Sequence, residues 1–120
     1  MNAKNEIKWE LDGQVWEEHP PNKSVSTAHL RGANQKPTLE ELQEAVGGII
    51  QFAYNGKDAQ IIIDEEGKFK GKPINMKATE YWFRLLESNN YKGYTLEEFI
   101  RKVDFLVGNV IILHRGAMLD

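Results

Sequence analysis

The sequence predicts an α+β protein, a small and mainly antiparallel β-sheet packed with about three helices and preceded by an N-terminal β-hairpin. Three observations predict it. Short runs rich in Ile, Val and aromatic residues have the length of strands, and between them lie stretches whose apolar residues recur three and four positions apart. Two Thr-x-x-Glu sequences, Thr38 to Glu41 and Thr95 to Glu98, mark helix starts. Asp12-Gly13 and Asn55-Gly56 supply dipeptides that tolerate the positive φ of tight hairpin turns.

A chain of 120 residues has the length of one domain, and about two-thirds of its extended surface can be buried. Four segments divide it: a hairpin over 1–18, a connector over 19–37, an α+β core over 38–113 and a tail over 114–120. In the hairpin, Ile7, Trp9 and Leu11 alternate with Lys8 and Glu10, the period of a half-buried strand. A two-residue turn at Asp12-Gly13 would set Trp9 opposite Trp16. The connector "HPPNKSVSTAHLRGANQKP" carries three of the four prolines and breaks both periods, leaving room for one short extended piece at "SVSTAHL".

Thr38 opens the first helix, with Leu39, Leu42 and Val46 on one face, and Gly47-Gly48 stops it. "IIQFAYN" and "AQIIID" read as a second hairpin joined at Asn55-Gly56. After Ile61 to Ile63, Glu66-Gly67 turns the chain and "KFKGKP" carries it to Asn75, a natural cap for a helix through about Leu86. That helix is expected to turn Met76, Ala78, Trp82 and Leu85 inward. Thr95 opens the third helix, whose inward stripe is Leu96, Phe99, Ile100 and Val103. "FLVGNVIIL" is a nearly unbroken apolar strand, which places it centrally and covers it on both faces. The tail "HRGAMLD" is expected to be loosely held.

Composition narrows the chemistry. There is no cysteine, so thiol catalysis, disulfides and thiolate metal sites are excluded. The longest apolar runs fall far short of the roughly 20 residues that span a bilayer, and no leader is recognisable, so a soluble, cytoplasmic protein with no membrane contact is expected. A net charge of −3 gives no general attraction to phosphate.

The stretch "IIIDEEGKFKGKPINMKATEYW" invites three functional readings. A phosphate loop needs two glycines with four residues between them, then Lys, then Ser or Thr. Here Gly67 and Gly71 are one residue too close, and Pro73 stands where the hydroxyl should be, with no N–H to offer an anion. A calcium loop alternates its oxygen ligands, whereas Asp64, Glu65 and Glu66 are adjacent and are followed by Lys68, Lys70 and Lys72. Those lysines around Phe69 could instead touch nucleic acid, but the neighbouring acids cancel their field. The plainer reading is a strand-to-helix turn in which Phe69 tucks beneath the loop as an anchor.

Elsewhere the candidates are thinner. His19, His29 and His114 have no metal-ligand spacing in sequence. Ser24, Ser26 and Ser88 lie in polar connectors without a nucleophile motif. Glu40, Glu41, Glu97 and Glu98 suit first helical turns, where they complement the dipole. Tyr81, Trp82 and Phe83 are consecutive and cannot share one helix face, so with Trp82 inward, Tyr81 or Phe83 is left partly exposed beside Arg84, the kind of anchor interfaces favour. The candidate interaction residues are therefore Phe69, Lys68, Lys70, Lys72, Tyr81, Phe83 and Arg84, with no catalytic, cofactor-binding or metal residue assigned.

From about Thr38 to Leu113 the chain resembles a family of small proteins from phages, other viruses and bacteria known as a domain of unknown function. The resemblance lies in the order of "LEELQEAVGGIIQFA", "IIIDEEGKFKGKPINMKAT" and "DFLVGNVIIL". It implies an accessory protein of a virus or mobile element acting in the host cytoplasm, and it brings no catalytic residues. The leading expectation is a non-enzymatic protein that binds a host or viral protein. The alternatives are a nucleic-acid-associated or nucleic-acid-mimicking protein, and a small-ligand binder or enzyme of another type. Surplus aromatics and the long final strand suggest a homodimer.

Overall fold

The computed structural model describes residues 25–87 and 90–119. The hairpin expected over 1–18 lies outside the described residues, as does the start of the connector. The expected extended piece of the connector is a strand, β1 (Thr27–Leu30). A short 3-10 turn (Ala33–Gln35) leads to α1 (Leu39–Val46). Then follow β2 (Ile50–Asn55), β3 (Ala59–Asp64), α2 (Met76–Glu87), α3 (Leu96–Lys102) and β4 (Val110–His114).

The four strands form one sheet in the order β1-β4-β3-β2. β2 and β3 pair antiparallel, as do β3 and β4, while β1 lies parallel to β4 with Thr27 opposite Val110. The sheet is thus mixed but mainly antiparallel, and with three helices the α+β class is the observed one. Parallel pairing of β1 and β4 is possible because the whole intervening chain serves as the crossover.

β4 has a strand on either side, and Val110 to Leu113 are fully buried. Alternation then sorts the sheet's side chains onto two faces. On one, Ala28, Leu30, Ile62, Ile111 and Leu113 pack with Leu42 and Val46 of α1. On the other, Ile61, Val110 and Ile112 pack with Ala78 of α2 and with Leu106, and Tyr81, Trp82 and Leu85 lie against that cluster.

Local signals explain the helix ends. Thr38 Oγ1 accepts from the Glu41 amide while Glu41 reaches back to the Thr38 amide, and Thr95 and Glu98 repeat the arrangement. α1 ends at Gly47, whose left-handed φ of 84° a side chain would resist. Asn75 caps α2 by accepting from the Ala78 amide at 3.0 Å.

Four expectations are corrected. Met76 is 47% exposed, and Phe83 rather than Met76 is buried with Ala78, because the inner face of the first turn is filled by Ala78 and Thr79 while Phe83 packs on Phe99 of α3. In α3 only Phe99 is fully buried, and Val103, its C-cap, is exposed. The final apolar run is divided by a turn at Gly108, and Val107 instead bridges to Ile74. The tail is not loose: Ala117 is buried, and Leu119 exchanges hydrogen bonds with the Gln60 side chain at 2.7 and 2.9 Å.

Candidate functional site

The turn after β3 is organised by Asp64. Its side chain ends an apolar strand and is buried with the α1 side of the sheet. A carboxylate in that position must be matched by cations. Lys70 and Lys72 each place Nζ 2.8 Å from Oδ2, and the Glu66 amide donates to Oδ1 at 2.9 Å. Burial alone would raise the Asp64 carboxyl; the hydrogen bonds from Lys70, Lys72 and the Glu66 amide outweigh it and bring it to about 2.

The same ammonium groups terminate a helix. Lys70 donates to the Gly47 carbonyl at 3.0 Å and Lys72 to the Val46 carbonyl at 2.8 Å. These are free carbonyls at the C-terminus of α1, where cations are favoured. Gly48 leaves room for the cluster: a Cβ there would lie 2.6 Å from Asp64 Oδ1 and 2.8 Å from Lys70 Nζ. Lys68 turns the other way, pairs with Asp104 and lies 4.5 Å over the Phe105 ring.

With Lys68, Lys70 and Lys72 all engaged by the fold, Phe69 between them points outward and is 93% exposed. The expected buried anchor is therefore corrected. Its inward place is taken by the lysine stems on either side, which satisfy the buried acid and the helix end. Ile49, also exposed, is tied to this loop through its carbonyl, which accepts from the Glu65 amide.

The second expected cluster does not hold as a surface. Phe83 is buried at 6% exposure, so it cannot serve as an exposed anchor. Arg84 is exposed and pairs with Glu80 one turn earlier at 2.8 Å. Tyr81 is half-buried on the sheet, where its ring stands perpendicular to His29 and His114, at centroid separations of 5.3 and 6.1 Å. Burial raises its hydroxyl above the usual range, against the pull of Arg31. The structure thus separates the candidates: Lys68, Phe69, Lys70 and Lys72 share one loop, and Tyr81, Phe83 and Arg84 go three separate ways.

Two features were not foreseen from sequence. His29 Nδ1 lies 2.9 Å from His114 Nε2, joining β1 to β4. They stand 85 positions apart, and only the parallel register of the two strands brings them together. A groove of about 270 Å³ runs beside β2, lined by Gln51, Ala53, Ile63, Trp82, Phe105 and Lys68 among others. That is just below the usual range for small-molecule pockets. Trp82 Nε1 is buried there without an acceptor among the described residues. Among the described residues no three His, Asp or Glu side chains converge as a metal site would require, and no helix is long and apolar enough to cross a membrane.

A small mixed sheet with helices on both faces and one internally braced loop defines an α+β domain with a presented hydrophobic tip. The family model described as a domain of unknown function (DUF3846) matches residues 19–117, and the chain belongs to that family. The match begins well before Thr38, so the family's model takes in the connector, with β1 in it. No curated protein and no solved structure matches the chain.

Proposed function

We propose that the chain is a non-enzymatic binding module that recognises a protein partner through the loop carrying Phe69. The observation that supports this most is the exposure of that ring on a loop held by ion pairs at Lys68, Lys70 and Lys72. A large aromatic side chain left in water is unfavourable in the free protein, and burying it on association recovers about 2 kcal/mol. A braced loop also loses little conformational freedom on binding. The accessory role in a virus or mobile element that the resemblance implies belongs to this reading.

The same geometry weighs against nucleic acid as the partner. Lys70 and Lys72 are committed to Asp64 and to the end of α1, and Lys68 to Asp104. A phosphate backbone would have to compete with each of those bonds.

The test is a photo-crosslinking residue at position 69, with a second at exposed Glu97 as control, in cells of the native source. The reading expects a discrete protein adduct at 69 and none at 97, competed away by wild-type protein and not by Phe69→Ala. Equal adducts at both positions, or equal competition by wild type and variant, would overturn it. An adduct of twice the chain mass would make the partner a second copy.

A further inference from the structure

The His29–His114 contact lies on the opposite face of the sheet from α1 and away from the Phe69 loop. Strand alternation puts His29 on the face away from Ala28 and Leu30, and His114 on the face of Val110 and Ile112. The two ring nitrogens are 2.9 Å apart, the ring centroids 5.1 Å apart and the planes within 17° of each other. Those values together place both nitrogens between the rings, so the imidazoles meet edge to edge as an N–H···N pair and not as a face-to-face stack. Such a bond needs one nitrogen with a hydrogen and one with a free lone pair. It survives one added proton, which the rings share, and it does not survive two.

We infer that His29 and His114 form a proton-operated latch that fastens β1 to β4, closed while at least one imidazole is neutral and opened when both are protonated. The placement gives the latch leverage. β1 has only four residues and, among the described residues, stands at one edge of the sheet, bonded to β4. At the opposite end of the strand Thr27 Oγ1 donates to Asn75 Oδ1. Histidine is the side chain whose charge changes between about pH 5 and 8, so the latch works in a physiological range.

Several of the described residues border the pair. From α2, Tyr81 presents its ring perpendicular to both imidazoles. From β3, Ala59 lies opposite His114 and contributes no charge. Arg31 follows β1 and acts on Tyr81, as does Tyr54 of β2. Arg115 follows β4 and is paired with Asp58 at 3.1 Å.

The test is nitrogen-15 NMR of the imidazoles in the full chain from pH 8 to 5, with amide exchange of Leu30 and Leu113 followed in parallel. In the wild type both rings should titrate in the same two steps, and the second should be accompanied by an increase in β1 exchange of about tenfold after correction for intrinsic rates. In His114→Gln, His29 should titrate in one step and the exchange increase should vanish; His29→Gln should mirror this. If a variant does not fold, the shared two-step titration of the wild type decides alone. Independent single steps for the two rings, or β1 exchange that rises equally in wild type and variants, would overturn the latch. So would stoichiometric capture of Zn²⁺ by the pair at pH 7.5, which would make it a metal site.

Discussion

At Asp64 a carboxylate is drawn out of water where an apolar strand ends, and Lys70 and Lys72 fold back to meet it. Its carboxyl falls from 3.8 to about 2 on folding. A depressed acid contributes stability that is fully present above its unfolded value and is lost as pH falls toward the folded one. That window runs from about pH 4 down to about pH 2, and the contribution is up to about 2 kcal/mol. Asp64→Asn should therefore be less stable than wild type at pH 7 by about that amount, and urea denaturation should show the gap closing as pH approaches 2. A gap constant with pH would mean the charge is not what stabilises the turn. Asn75 is the uncharged counterpart. It donates to the Ser26 and Gly108 carbonyls, accepts from the Thr27 hydroxyl and caps α2, all while buried. Asn75→Ala strands two buried carbonyls and removes the cap, so a loss of about 3 kcal/mol or more in urea is expected. An alanine variant within about 1 kcal/mol of wild type would contradict that role.

At the scale of elements, the readable signals were those that act within a few residues. The Thr-x-x-Glu boxes, the Gly47 stop and the Asn75 cap all stand where the sequence put them. Each box should be worth about 1 kcal/mol, so Thr38→Ala and Thr95→Ala should lower the urea midpoint by similar amounts, with Ser in place of Thr restoring it. What was not readable depended on the sheet. β1 was legible only as a short extended piece of the connector, since four residues with polar neighbours do not show which strand they will pair with. It becomes a strand through bonding to β4 far along the chain. The tail looked loose for the same reason: Ala117 and Leu119 find their places only against α1's core and Gln60. Phe69 was misplaced because alternating lysines beside an aromatic suggest cations out and ring in. The buried acid at the strand end was the sign that reverses this, since an unpaired charge there would be more unfavourable than an exposed ring.

For the whole molecule, the ion cluster joins three parts at once: the end of β3, the lysine loop and the C-terminus of α1. This changes how the lysines can be used as probes. Replacing Lys70 or Lys72 with alanine removes a cation from buried Asp64, so lost binding in such a variant would report lost structure. Phe69 is the position where surface recognition can be separated from folding. The α+β class followed from local patterns alone, whereas the site required knowing which cations the fold consumes. Recognition through Phe69 requires a presented side chain on a braced loop. The most direct measurement compares Phe69→Ala with wild type for urea stability and for capture of the crosslinked partner. Stability should stay within about 0.5 kcal/mol of wild type and capture should fall at least about tenfold, the equivalent of about 1.4 kcal/mol. A variant that captures the partner as well as wild type, or that loses several kcal/mol of stability, would contradict recognition through Phe69.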